Sequence, residues 1–189
     1  MKYSKEWLKE SEIKRILELS DLSEKHETWI LLLYYPALRV SEAINVRVQD
    51  INIEQKCIDV WGGKGKDLTE LQKAPCDISV LRQIKRYCQH EDLRPSDYIM
   101  RSQKRGQVSR QQVYRTVKQL CLKADIDKQI STHTFRRSRA EHLLDRGLKL
   151  TYVSKYLRHK SVTTTMKYLD VSVEDIHREL EKLDKGDLD

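Results

Sequence analysis

The stretch DINIEQKCIDVWGGKGKDLTELQKAPCD, residues 50 to 77, decides the fold, because it is where the chain stops reading as helix. On both sides of GGKGKD, β-branched and aromatic residues alternate with polar ones, the period of a half-buried strand. The three glycines Gly62, Gly63 and Gly65 supply the turn between the two runs, so the segment predicts a hairpin or small antiparallel sheet with Lys64 and Lys66 at or beside its tip.

Working outward, the flanks carry helical periodicity. Upstream, SEIKRILELSDL (11 to 22) sets Ile13, Ile16, Leu17 and Leu19 on one face behind Ser11, which reads as the cap. EKHETWILLLYYPALRVSEAINV follows, with Pro36 ending or kinking one helix and Ser41 near the start of a short next one, so Arg39 falls at a break between helices. Downstream, apolar periods predict helices near 78–90, 109–124, 133–146 and 150–157, a short one over 163–168 and a terminal one near 173–184, with a brief strand at DYIM (97–100). The class is mainly α with a small antiparallel β-sheet (α+β), in one domain.

Composition agrees with a folded chain: 39% hydrophobic and 34% charged residues are far from the signature of disorder. The net charge of +7 and a pI near 9.2 favour polyanionic partners, nucleic acid first. Cys57, Cys76, Cys88 and Cys121 are widely spaced with no C-x-x-C pair, so buried reduced thiols are expected rather than a zinc site or disulfide framework. The longest apolar run, Trp29 to Pro36, is too short to cross a bilayer.

Several residues could serve a phosphate, although each has an ordinary reading. Arg39 in ALRVSEA has Glu42 three residues on, which holds its guanidinium by a charge-assisted pair, as many surface pairs do. STHTFRRSRAEHLL (131–144) places His133 and Arg136 on one face of a helix start, with Phe135, Leu143 and Leu144 on the buried side. Lys64 in its glycine-flanked turn can reach into a groove or simply stay solvated. His159 and Tyr168, nine residues apart in YLRHKSVTTTMKYLD (156–170), are unremarkable separately.

Together these residues resemble the catalytic domain of the tyrosine recombinase (phage integrase) family. ALRVSEA is similar to its first arginine box, G-L-R-x-S-E. GGKGKD matches its lysine turn, HTFRR its H-x-L-R-H, and LRHKSVTTTMKYLDV its L-G-H-S-x-x-x-T-T-x-x-Y-x-H box. The departures are Ala37 and Arg158 where glycine is usual, Phe135 for leucine, and Arg137 and Asp170 for histidines. The resemblance implies that family's fold and six catalytic residues: Arg39, Lys64, His133, Arg136, His159 and Tyr168, with Glu42 orienting Arg39.

The chemistry explains why such residues are needed. Attack on a DNA phosphodiester builds negative charge on the non-bridging oxygens, and Arg39 and Arg136 present planar, permanently charged forks to them. Clustered carboxylates of the two-metal kind are missing from the sequence, so no metal or other cofactor is expected. The Tyr168 hydroxyl, with an ordinary pKa of about 10, needs a base or nearby positive charge. His133 is the candidate base, His159 a phosphate-side partner, and the resemblance implies Lys64 as acid for the departing 5′ oxygen.

Lys66, Arg105, Arg110, Gln111, Arg137 and Arg139 are candidate contacts to double-stranded DNA. Ser109 to Gln112 carry side chains of the base-reading kind, while many of the lysines read equally as a solvated face. The apolar stripe Val173, Ile176, Leu180 and Leu183 packs on its own domain or, as the resemblance implies, on a neighbouring protomer within a tetramer on DNA. Relatives carry an N-terminal DNA-clamping domain of roughly 100 residues ahead of the first arginine box, an ordinary domain size. Only 38 residues precede Arg39, so 1–189 is expected to be a single catalytic domain without that core-binding domain. It is then either part of a longer protein or a minimal recombinase, in the nucleoid-associated cytoplasm of a prokaryotic or virus-infected cell. The rival functions are a DNA-binding protein that has lost the chemistry and a type IB topoisomerase.

Overall fold

A computed structural model describes residues 6–62, 70–102, 106–159 and 163 of the chain. The helices are α1 (Glu10–Leu17), α2 (Glu24–Tyr34), α3 (Val40–Ala43), α4 (Ile78–His90), α5 (Arg110–Lys123), α6 (Thr134–Asp145) and α7 (Leu150–Tyr156). A 3-10 turn at Val48–Asp50 leads into β1 (Ile51–Asn52), and the hairpin strands are β2 (Cys57–Gly62) and β3 (Glu70–Pro75). The expected class, mainly α with one small antiparallel sheet, is the observed one.

The sheet has the order β1-β2-β3 and is antiparallel throughout. Its register pairs Ile58 with Ala74 and Val60 with Gln72 on the inner face, and Asp59 with Lys73 and Trp61 with Leu71 on the outer. The alternation read from the sequence is therefore real: Ile58, Val60 and Ala74 are buried while Trp61 and Leu71 are exposed. The hairpin tip, with Lys64 and Lys66, lies outside the described residues.

The helix α2 explains the main core. Every residue from Thr28 to Tyr34 is buried, so it runs through the middle of the molecule and packs against both α4 and α6. Trp29, Ile30 and Leu32 of α2, with Leu81, Ile84, Ile99 and Phe135 from elsewhere in the chain, are among the largest fully buried side chains. A second, smaller cluster of Ala37, Ala140, Val153 and Leu157 joins the α2–α3 loop to α6 and α7. This cluster is the floor on which the charged residues described below are mounted.

Caps set most helix starts: Ser23 Oγ accepts from the His26 amide, Asp77 Oδ1 from that of Ser79 and Ser109 Oγ from that of Gln112. Two local expectations change. The first helix starts at Glu10, with Lys9 rather than Ser11 at its cap, because Glu12 Oε2 reaches back 2.7 Å to the Lys9 amide. It stops at Leu17, although Leu19 and Leu22 still pack on the core. DYIM makes only an isolated antiparallel bridge, Arg47 to Tyr98, and buries Ile99 and Met100 without forming a strand. The proposed helices 163–168 and 173–184 fall outside the described residues, Thr163 excepted.

All four cysteines are buried and unpaired. Burial pushes the thiols of Cys76 and Cys121 up to about 12 and that of Cys88 to about 11, which keeps them protonated and inert. Among the described residues no helix is long and apolar enough to cross a membrane.

Candidate phosphodiester site

Four helices end in one way: the residue after the last turn adopts a left-handed conformation and the next amide reaches back to close the helix. These residues are Asp92, Asp125, Gly147 and Arg158, with φ of +49°, +53°, +83° and +53°. Aspartate and glycine tolerate this backbone, whereas arginine there costs about 1–2 kcal/mol. At the end of α7 the Arg158 amide donates to Lys155 O (2.9 Å) and the His159 amide to Ser154 O (3.1 Å), so the turn also delivers His159. Ala37, between α2 and α3, is likewise left-handed at φ +48°. The two places where the family pattern resembled here has glycine and this chain does not are thus both positive-φ corners, a backbone that glycine adopts without strain.

Both corners aim carbonyls at arginines. Arg136, buried at 3% exposure in α6, donates from Nη1 to Ala37 O (2.6 Å) and from Nη2 to Leu157 O. Arg39 caps α3, and its Nη2 reaches Arg158 O at 3.4 Å. Between them lies Glu42, a buried carboxylate shared by three guanidiniums. Its Oε1 accepts from Arg39 Nη1 (2.5 Å), and its Oε2 accepts from the Arg39 amide (2.8 Å) and Arg158 Nη2 (2.9 Å), with Arg136 Nη1 at 3.9 Å. Burial works to raise the Glu42 pKa, but Arg158, the Arg39 amide, Arg39 and Arg136 outweigh it, and the carboxyl lies below its ordinary 4.5. Three guanidiniums against one carboxylate leave the cluster with two net positive charges.

Two imidazoles border the cluster. His133, the cap residue of α6, is open to solvent on one side. Desolvation on the other, with Arg136 and Arg39, holds its pKa below 6.5 against the pull of Glu42. His159 is pushed down to about 4 by burial and by Arg136, Arg39 and Arg158. Both are therefore neutral at pH 7, each with one nitrogen able to accept and one able to donate. A groove lined by Glu70, Gln72, Lys73, Lys155, Arg158 and His159 runs from this point to β3, so the strand that leads out of segment 63–69 lies beside His159.

The structure thus brings together Arg39, Glu42, His133, Arg136 and His159, the described members of the set that the family resemblance implied. Lys64, Lys66, Arg105 and Tyr168 lie outside the described residues. Arg110 and Gln111 are exposed at the start of α5. Arg137 is half-buried, with Glu141 Oε1 3.6 Å from its Nε. Arg139 lies with its guanidinium over the rings of Tyr34 and Tyr35, 5.4 and 5.5 Å from their centroids, because α6 packs on the buried α2. The residue that sequence reasoning noticed but gave no role is Arg158, whose side chain is only 4% exposed. The available signal was an arginine at the glycine position of a helix end.

Two imidazoles beside converging guanidiniums are groups that can hold a phosphate-type oxyanion and exchange protons next to it. The chain belongs to the phage integrase family, whose pattern it matches over residues 6–175. A tyrosine recombinase of Pseudothermotoga lettingae is 32% identical to it over 166 residues, covering 88% of this chain and 56% of that protein. Tyrosine recombinase XerA of Pyrococcus furiosus is 33% identical over 179 residues, covering 93% and 60%. The chain therefore spans little more than half the length of these relatives. The fold is that of the crystal structure of XerA recombinase, with a TM-score of 0.80 at 23% identity over 94% of this chain and 64% of that one. It is also that of the XerH recombinase bound to its difH substrate, at 0.76 and 20% identity over 92% and 53%.

Proposed function

We propose that this chain is the catalytic domain of a site-specific tyrosine recombinase, cutting and rejoining double-stranded DNA through a 3′-phosphotyrosyl intermediate without metal or ATP. The observation that carries the reading is the convergence of Arg39, Arg136 and Arg158 on Glu42, flanked by neutral His133 and His159. Arg39 and Arg136 take the non-bridging oxygens and offset the charge that grows there. The Tyr168 hydroxyl oxygen attacks phosphorus as His133, neutral and so able to accept, takes its proton. The bond to the 5′ oxygen breaks, and Lys64 protonates the leaving group. His159 donates a neutral hydrogen bond to the phosphate. A 5′ hydroxyl from a second strand then reverses the steps, so the ester bond energy is conserved.

Arg110 and Gln111 at the start of α5, with Arg137, Lys66 and Arg105, form the proposed DNA contacts. Arg139 is left out because it is engaged with the tyrosine rings. The reading extends to a specific target site, a tetramer joined through the 173–184 segment, and integration for a mobile element or virus or resolution of replicon multimers in the cytoplasm.

The test is covalent capture from a pool of nicked duplexes of random sequence, read on a denaturing gel. We expect an adduct whose peptide map places the bond on Tyr168 and which Tyr168→Phe does not form. Failure of the wild type to capture any duplex, or an adduct that survives Tyr168→Phe, refutes the reading.

A further inference from the structure

The residue at the end of α7 makes more contacts than a helix stop needs. Arg158 Nη1 donates to Pro36 O (3.3 Å) and Tyr156 O (3.1 Å), and its Nη2 to Ala37 O (3.3 Å) and Glu42 Oε2 (2.9 Å). A strained backbone and a buried guanidinium at one position point to a role beyond packing. Each carboxylate oxygen accepts along two lone pairs. On Glu42 Oε2 those two are taken, one by the Arg39 amide at 2.8 Å and one by Arg158. The next donor in range is Arg136 Nη1, 3.9 Å away and already donating to Ala37 O. Remove Arg158, and the vacated lone pair draws Arg136 toward Glu42, away from the phosphate and into a charge-neutralising pair.

We propose that Arg158 is a positioning residue for strand cleavage: by occupying Glu42 Oε2 it holds Arg136 Nη1 at 3.9 Å, beyond hydrogen-bond distance of that oxygen, and in register with the phosphate. This rests on the reading of the site as a phosphodiester-cleaving one. Arg158 does not touch the reacting atoms. It acts through Glu42 and Arg136, and the effect is large because a displacement of about 1 Å in a phosphate-binding group lowers turnover by up to about a hundredfold.

The test uses a duplex captured by the wild type and a second copy in which the scissile phosphate is a methylphosphonate, whose uncharged methyl removes the charge that Arg136 offsets. Arg158→Gly, which also relieves the left-handed backbone and so protects the fold, and Arg158→Met are compared with the wild type in single turnover. On the phosphate both should cleave about tenfold or more slowly at saturating DNA, with the half-saturating concentration unchanged. On the methylphosphonate the deficit should shrink toward none, and Arg158→Lys, which returns a cation to Oε2, should recover most of the phosphate rate. Equal deficits on the two substrates, deficits that follow the unfolding temperature, or none at all would overturn the proposal while wild-type capture leaves the recombinase reading standing. If the wild type captures nothing, both fall.

Discussion

The ends of α6 and α7 close with the same hydrogen bonds and opposite consequences. After α6 the Gly147 amide donates to Leu144 O at 2.8 Å and that of Leu148 to Leu143 O at 3.0 Å. A Cβ added to Gly147 would meet nothing within 4 Å, so this corner asks only for a permissive backbone. After α7 the backbone geometry is repeated, but Arg158 fills the glycine position and plants a guanidinium on Glu42. One corner is relaxed and idle. The other is strained and wired to Arg39 and Arg136, which suggests that strain persists where a side chain is worth more than the conformation costs.

The largest expected effect comes from removing what the α7 corner is wired to. Glu42→Ala leaves three guanidiniums, two of them almost fully buried, without their shared anion. Breaking a buried pair in this way costs about 3–5 kcal/mol, so urea unfolding should show a loss of that size, and one below 1 kcal/mol would mean that Glu42 does not hold the cluster together. Arg136→Lys keeps the charge but not the fork that spans Ala37 O and Leu157 O. Capture of a selected duplex should slow by about 10²-fold or more, the usual consequence of losing one oxyanion donor, and an unchanged rate would remove Arg136 from the phosphate.

Arg39 and Glu42 were legible in the sequence because their pairing is local, three residues apart across a helix start. His133 and Arg136 were legible for the same reason, and the hairpin because its inner face alternates with a period of two. Arg158 was not, since its partners Pro36, Ala37 and Glu42 are 116 to 122 residues away and become neighbours only when α7 docks under the α2–α3 loop. The partners of Arg139 were hidden for a related reason: RRSR looks like one basic run, yet helical period turns Arg137 toward Glu141 and Arg139 onto the tyrosines of α2. A charge run has no face until the helix has neighbours. The Lys9 cap was missed because Glu12, not the cap residue's own side chain, supplies the acceptor.

A smaller effect measures the strain itself. Gly147→Ala changes only backbone freedom and should lower stability by about 1 kcal/mol. Arg158→Ala and Arg158→Gly both lose the guanidinium, but only the first keeps a Cβ at φ +53°. The glycine variant should therefore be the more stable of the two by about the amount that Gly147→Ala loses, again near 1 kcal/mol. A gap much larger than that would show that the α7 corner carries more strain than the α6 corner's geometry accounts for. A gap of zero would show that the left-handed turn opens once its guanidinium is gone.

The smallest effect is electrostatic and needs no DNA. His159 faces Arg136, Arg39, Arg158 and Glu42 in the cluster and shares its groove with Glu70, Lys73 and Lys155. Its folded pKa of about 4 lies below the ordinary 6.5, so between these values the unfolded chain binds a proton that the folded chain refuses, and stability falls as the pH is lowered through that window. Glu42 acts in the same direction: its carboxyl is held below 4.5, so its contribution is present above that pH and is lost as acid protonates it. In Arg158→Gly one of the three cations depressing His159 is gone while burial, Arg136 and Arg39 remain. Its imidazole should titrate higher than in the wild type but still below 6.5, by NMR. Gly147→Ala, which removes no charge, should leave that titration where it was. If the two variants titrate alike, the guanidinium at the end of α7 is not part of the field that keeps His159 neutral.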